Sequence, residues 1–185
     1  EDITADDLEG FTHAHVEGYL LFNPALMNAV LDAADRQNVT LSLDLGSYEV
    51  VDATRDILPE MLSEHIDIVF ANKEEATHLT GCTNPRAALE AAHLTGCKNP
   101  REALDVLSGY CDVTAVKIGK DGSILRRGDE TVDVPCMPVG RVMDTTGAGD
   151  YWAAGFLLGY LRGYSLENSG LLGSLLGGTV VQYFG

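Results

Sequence analysis

A glycine-rich turn that ends in a carboxylate carries the clearest chemistry in this sequence of 185 residues. The turn is Asp144-Thr145-Thr146-Gly147-Ala148-Gly149-Asp150, and an apolar stretch follows it directly. Gly147 and Gly149 let the backbone approach a ligand closely, and the apolar stretch predicts a helix whose first N–H groups favour a phosphate. A carboxylate such as Asp150 would repel a bound phosphate, so its presence beside this turn needs a reason. The reason would be chemical if Asp150 takes a proton from a hydroxyl that then attacks a bound phosphoryl group.

The same run, continued as DTTGAGDYWAAGFLLG, resembles the C-terminal signature of the ribokinase-like (PfkB) carbohydrate kinases. The resemblance implies ATP-dependent transfer of a phosphoryl group to an alcohol. Asp150 matches the catalytic base of that family, and Gly147, Ala148 and Gly149 match the amides of its anion hole. The alternative is a glycine-rich cap that precedes an ordinary buried helix.

A second match to the family follows a predicted buried strand, at Asn72-Lys73-Glu74-Glu75. Asn72 and Glu75 are similar to the family's N-x-x-E motif, which helps order Mg²⁺ and its waters near the phosphates. Because Mg²⁺ takes oxygen ligands and usually keeps several waters, an indirect carboxylate suits it. The local alternative is a capping box, in which Asn72 caps a helix and Glu75 stands at its third position. The two roles are compatible.

Four further positions gain an expected role from the resemblance. Gly119, in the loop after another strand, is expected beside the ATP phosphates, with a plain turn as the alternative. Thr146 is expected there too, and Asp144 with Thr146 matches positions that in several relatives help bind a monovalent cation such as K⁺. Asp44, at the end of an earlier strand, is expected on the acceptor side, although a simple turn would also explain it.

The formal net charge of −16 argues against nucleic acid as a partner, because no basic stripe is present to meet phosphates. ATP is an anion as well, so local amides, Mg²⁺ and a few cations must overcome the general field. The candidate cations are Lys117, Lys120, Arg126, Arg127 and Arg141. Many relatives carry threonine or serine near Lys117, so we assign it no role.

Neither a membrane span nor a metal centre of cysteines and histidines is expected. No apolar run reaches the roughly 18 residues that a span needs. The four cysteines and five histidines lack metal-ligand spacing. We therefore expect a cytoplasmic protein with reduced thiols.

Short β-like runs alternate with helical ones, which predicts an α/β fold with a largely parallel sheet flanked by helices. Strands are expected within Phe11–Leu21 and over Val39–Leu45, Ile66–Ala71 and Val113–Ile118, with a hairpin of Ser123–Arg127 and Thr131–Val134. Helices are expected over Pro24–Gln37, Thr54–Glu64, Asp150–Arg162 and Leu166–Tyr183.

A tandem duplication interrupts this order, because residues 75–89 and 90–104 are near copies with a period of 15 residues. Solenoid repeats are longer than this, and at least three are needed for stability. The duplication therefore predicts a local insertion, in which one copy packs in the usual place and the other extends outward.

The likeness covers most of the chain but only the C-terminal, ATP-binding half of the family pattern. We expect a single partial ribokinase-like domain over residues 1–185, truncated at both ends, with weak or absent turnover on its own. Its partners would be ATP, Mg²⁺ and a sugar. An adenosine-type nucleoside kinase is one alternative, and a catalytically incomplete nucleotide-binding or oligomer-forming fragment is the other. A homodimer is a separate expectation.

Overall fold

The structure, a computed structural model, describes residues 3–80 and 100–184. These residues form a six-stranded sheet in the order β1-β2-β3-β4-β5-β6. The strands are β1 His13–Glu17, β2 Thr40–Asp44, β3 Ile68–Asn72, β4 Val113–Lys117, β5 Ser123–Arg127 and β6 Glu130–Val134. Neighbours from β1 to β4 are parallel, and β5 and β6 are antiparallel. The predicted largely parallel sheet is confirmed.

Helices cover both faces of this sheet. They are α1 Pro24–Gln37, α2 Tyr48–Thr54, α3 Leu58–His65, α4 Lys73–Thr80, α5 Pro100–Leu107, α6 Ala148–Tyr160 and α7 Leu166–Val180. Alternate side chains of β3 point into two cores: Val69 packs with α1 to α5, and Phe70 packs with Trp152 and Phe156 of α6. A strand buried on both faces reads as a continuous apolar run, which is why β3 and β4 were recognisable.

The helix expected over Thr54–Glu64 starts too early, because α2 ends at Thr54 and α3 begins only at Leu58. Ser47 begins α2, its side chain accepting a hydrogen bond from the Val50 N–H at 3.4 Å. Pro59 stands in the first turn of α3. Proline has no N–H to bond the carbonyl four residues earlier, so a helix continuing through position 59 would be broken there.

Other predicted boundaries shift by a few residues. Helix α6 begins at Ala148 rather than Asp150, because Gly147 caps it with a φ of 73°. Helix α7 ends at Val180 rather than Tyr183. The expectation about which copy of the duplication packs in place depends on residues 81–99, which lie outside the described residues. Within the described ranges, no helix has both the length and the apolar character to cross a membrane.

Candidate active site

Each of the four parallel strands ends in a polar residue, and all four residues line one cavity of about 860 Å³. The residues are Glu17, Asp44, Asn72 and Lys117. The sheet register pairs Glu17 with Asp44 and Asn72 with Lys117. The carboxyl ends of parallel strands form the usual ligand-binding edge of an α/β sheet, so this cavity is the candidate active site.

The first turn of α6 forms the opposite wall of the cavity. Gly147 takes the left-handed conformation that caps the helix, and the Ala148 N–H donates to the Thr145 carbonyl at 3.1 Å. The N–H groups of Gly149 and Asp150 have no hydrogen-bond partner among residues 3–80 and 100–184. Free N–H groups at a helix start, together with the helix dipole, form an anion site, and the exposed Asp150 carboxylate stands beside it.

The loop that leads into α6 is held by its own hydrogen bonds. The N–H and hydroxyl of Thr146 donate to Oδ1 of Asp144 at 2.9 and 2.8 Å. The Met143 N–H donates to the Val181 carbonyl at the end of α7, at 2.7 Å. These bonds fix the chain just before Gly147. They therefore stabilise the capping conformation of Gly147, which directs the first α6 amides into the cavity.

Asn72 and Glu75 bond to each other at the start of α4. The backbone N–H of Asn72 donates to Glu75 Oε2 at 2.7 Å, and its side-chain amide donates to Oε1 at 2.5 Å. Asn72 Oδ1 accepts from the N–H of Glu75 at 2.9 Å. Glu75 is only 2% exposed, and this burial raises its pKa to about 7 despite the hydrogen bond from Asn72. The capping box is therefore formed, and both residues still line the cavity.

Lys117 and Asp44 form an ion pair across the cavity floor. The Lys117 Nζ lies 2.5 Å from Asp44 Oδ2, with side chains 14% and 6% exposed. Asp44 Oδ1 also accepts the Gly46 N–H at 3.2 Å, which fixes the carboxylate. The same Nζ would lie 3.3 Å from a Cβ placed on Gly149, so the ammonium stands beside the first turn of α6.

Glu17 faces this group from the end of β1. Its Oε1 lies 3.3 Å from His15 Nε2, and His15 Nδ1 lies 2.7 Å from Ser42 Oγ. Partial burial and then the charge of Asp44 raise the pKa of Glu17, and Asp150 adds to the shift while His15 opposes it. The charge of Asp150, on the opposite wall of the cavity, thus contributes to the raised pKa of Glu17.

The far end of the cavity is apolar. It lies between the segment after β6 and helix α7, and its wall includes Met137, Pro138, Val139, Val142, Trp152 and Val181. Gly119, with a φ of 64°, and the exposed Lys120 stand where the loop after β4 meets the cavity. The cavity therefore joins an apolar slot to a charged floor, with the α6 amides between them.

Comparison with known proteins identifies the family of this chain. The sequence pattern of pfkB family carbohydrate kinases matches residues 2–185. This chain belongs to the pfkB family. A nucleoside kinase from Methanocaldococcus jannaschii is 30% identical over 145 residues, which are 78% of this chain and 42% of that protein.

Solved structures of pfkB relatives superpose on most of the chain. A probable sugar kinase from Rhizobium etli is 33% identical with a TM-score of 0.85, over 99% of this chain and 52% of that one. Adenosine kinase from Sinorhizobium meliloti is 33% identical with a TM-score of 0.83, over 99% and 53%. A putative ribokinase II from E. coli, in complex with ATP and Mg²⁺, shares the fold at 21% identity, with a TM-score of 0.79 over 98% and 56%. The chain spans about half the length of the relatives it matches.

The structure gathers most of the site residues that the pfkB resemblance singled out. Those lining the cavity are Asp44, Asn72, Glu75, Gly119, Ala148, Gly149 and Asp150. Asp144, Thr146 and Gly147 belong to the adjoining loop and cap. Two of the candidate cations are engaged elsewhere: Arg126 pairs with Asp105 and Arg127 with Glu130.

Two site residues escaped the sequence reasoning. Glu17 received no role, and Lys117 was set aside because relatives vary near it. Both are the polar last residues of strands in the structure, and both lie within the segments where the sequence predicts strands, Phe11–Leu21 and Val113–Ile118. The ends of neighbouring parallel strands meet at one edge of a sheet, so every such residue is a candidate.

Proposed function

We propose that this pfkB chain forms the ATP-side half of a site that transfers the γ-phosphoryl group of ATP to a sugar hydroxyl. One observation carries the proposal: the Asp150 carboxylate shares one helical turn on the cavity wall with the amides of Gly149 and Asp150, which have no partner among the residues that the structure describes. A base and an anion cradle at this spacing serve phosphoryl transfer, whereas an ordinary helix start needs no carboxylate beside its anion site.

Asp150 acts as the general base in this proposal. Its carboxylate takes the proton of the acceptor hydroxyl, the oxygen forms a bond to the γ-phosphorus, and the bond to the β,γ-bridging oxygen breaks with its electrons leaving on ADP. The amides of Gly149 and Asp150 stabilise the charge on the transferring group, with Gly147 and Ala148 shaping the turn.

The two ends of the cavity suit the two parts of ATP. The apolar slot, which includes Met137 and Val139, would take the adenine ring, and the α6 amides with Gly119 would meet the phosphates. Thr146 lies in the loop before α6 rather than among the residues that line the cavity, and its contact with the phosphates stays a prediction. Asp44 and Glu17 would face the acceptor from the ends of β2 and β1. This arrangement places the acceptor hydroxyl between the strand ends and Asp150.

Asn72 and Glu75 fit an indirect role toward Mg²⁺. Both line the cavity, and each Glu75 oxygen keeps a lone pair beyond the one that Asn72 occupies, so water can bridge them to a cation. The ion, when bound with ATP, neutralises phosphate charge. The monovalent-cation role of Asp144 and Thr146 stays a prediction, as do a cytoplasmic location and a homodimer.

A nucleoside acceptor is the second candidate. Nucleoside kinases stand among the relatives beside sugar kinases, at the same level of identity. The chemistry at Asp150 is the same for either hydroxyl, so the two candidates differ only in what binds next to Glu17 and Asp44.

An acceptor panel tests the proposed function. ADP release from Mg·ATP is measured with hexoses, pentoses and nucleosides, for the unmodified chain and Asp150→Ala, and Mg·ATP binding is measured by calorimetry on both. We expect Mg·ATP binding by both and slow release that rises with one acceptor class and vanishes in the variant. A rate of ADP release that changes neither with the acceptor nor with the Asp150 substitution would contradict the proposal.

A further inference from the structure

Lys117 is a partly buried cation of the cavity floor. Its side chain is 14% exposed, whereas the neighbouring Lys120 is exposed. It ends β4, in the middle of the sheet, and its register partner on β3 is Asn72. The strand fixes the backbone of Lys117, and the hydrogen bond to Asp44 fixes its ammonium group. The ammonium is therefore held at one point of the cavity floor.

The ammonium has hydrogen-bonding capacity to spare. A lysine ammonium carries three donors, and the hydrogen bond to Asp44 Oδ2 occupies one of them. Among residues 3–80 and 100–184 no second acceptor for Lys117 Nζ is present. The Nζ also stands next to Gly149, whose amide belongs to the anion cradle. The spare donors therefore lie beside the place where the proposed function puts the γ-phosphoryl group.

The negative charge of the cavity also favours a role for the Lys117 ammonium in contacting the phosphoryl group. Four carboxylates line it, and they belong to Glu17, Asp44, Glu75 and Asp150. A phosphoryl group that carries several negative charges must approach within a few ångströms of them. A fixed cation at the floor lowers that repulsion where the distance is shortest, because charge interactions strengthen as water is excluded.

We propose that Lys117 is a further catalytic residue, whose ammonium contacts the transferring phosphoryl group while Asp44 holds it in place. The proposal rests on the function proposed above. Lys117 transfers no proton in this step: the acceptor proton goes to Asp150, the new O–P bond forms, the bond to the bridging oxygen breaks, and the lysine donates hydrogen bonds to the phosphoryl oxygens. A lysine at this place would bind ATP better than ADP, because ADP lacks the group it contacts.

The alternative is that Lys117 only neutralises Asp44. A buried pair behaves in this way when removal of one partner leaves the other charge uncompensated. Lys117→Met alone would then weaken binding of any anion through the bare Asp44, so it cannot separate the two roles. The double variant Asp44→Asn/Lys117→Met can, because it removes both charges of the pair together and leaves neither partner uncompensated.

The test compares Mg·ATP with Mg·ADP affinity by calorimetry on the 185-residue chain. We expect Lys117→Met, and equally the double variant, to reduce the preference for Mg·ATP over Mg·ADP by about 10-fold or more. Lys73→Met is the matched control: Lys73 is exposed at the start of α4, and its loss changes the net charge equally but should preserve the preference. Thermal melts of each variant establish that it is folded.

Two results would overturn the assignment of Lys117. One is an unchanged ATP-to-ADP preference in Lys117→Met, and the other is recovery of the preference in the double variant. If the unmodified chain binds no Mg·ATP at all, the function proposed for the site fails, and the role of Lys117 fails with it. Normal binding by the unmodified chain combined with either of the first results would overturn the lysine proposal alone.

Discussion

Glu75 and Asn72 close a ring of hydrogen bonds at the start of α4, in which each residue caps the other. The Asn72 N–H reaches Glu75 Oε2 at 2.7 Å, and the Glu75 N–H reaches Asn72 Oδ1 at 2.9 Å. The carboxylate is buried in the process, at 2% exposure, and its pKa rises to about 7. The same residue that orders the helix start is therefore a titrating group at the edge of the cavity.

The raised pKa of Glu75 predicts a falling stability as pH rises. The folded protein holds this proton more tightly than the unfolded chain, whose glutamate titrates near 4.5, so folding takes up a proton between pH 4.5 and about 7. Glu75 therefore lowers the free energy of unfolding as pH rises through that window, by about 3 kcal/mol at most. Glu75→Gln removes this titration.

The measurement is urea unfolding from pH 5 to 8 in the presence of a chelator. The difference between the unmodified chain and Glu75→Gln should grow in favour of the variant as pH rises. Glu74→Gln, at the exposed neighbouring position, is the control for the loss of one carboxylate from the start of α4. A difference for Glu75→Gln that does not change with pH would show that Glu75 titrates as an ordinary glutamate.

Close packing of α6 against α7 predicts a sharp cost for one added methyl group. A Cβ on Gly173 of α7 would lie 2.8 Å from Cε2 of Trp152 and 2.9 Å from the carbonyl oxygen of that residue. Because backbone cannot yield as a side-chain tip can, we expect Gly173→Ala to cost about 1–3 kcal/mol of unfolding free energy. Gly140→Ala is the control, since its Cβ would meet nothing within 4 Å. Equal stability of the two variants would contradict this packing.

The contact between His15 and Glu17 predicts that removal of the imidazole changes the pKa of Glu17. The imidazole lies 3.3 Å from the Glu17 carboxylate and lowers its pKa, against burial and the charge of Asp44, which raise it. His15→Gln should therefore raise the pKa of Glu17 further, as followed by NMR of the side-chain carboxyl carbon. His78→Gln, which removes a histidine paired with Asp52 elsewhere, should leave Glu17 unchanged. A lowered pKa in His15→Gln would refute the pairing.

The sequence was informative where one local rule decides the outcome. The buried runs of β3 and β4 predicted strands, and Asn72 with Glu75 predicted a capping box that the structure contains. The helix expected over Thr54–Glu64 begins only at Leu58, because Pro59 is tolerated in the first turn of a helix and not in its interior.

What lay beyond prediction depends on contacts between distant segments. The pairing of Lys117 with Asp44 spans 73 positions of the sequence and requires the strand order to be known. The segment after β6 has no periodicity of its own and takes its place by packing on α7, where a Cβ on Gly178 would lie 2.8 Å from Met137 Cβ. The apolar slot of the cavity could therefore not be foreseen.

The role of Asp150 is tested most directly by single-turnover transfer of labelled γ-phosphate from Mg·ATP to the acceptor that the panel identifies. We expect Asp150→Asn to slow transfer by about 10²–10⁴-fold, because the base that takes the acceptor proton is lost. Its affinity for Mg·ATP should stay within about threefold, because the amides of Gly149 and position 150 that bind the phosphates remain. Transfer by Asp150→Asn at the rate of the unmodified chain would contradict the account.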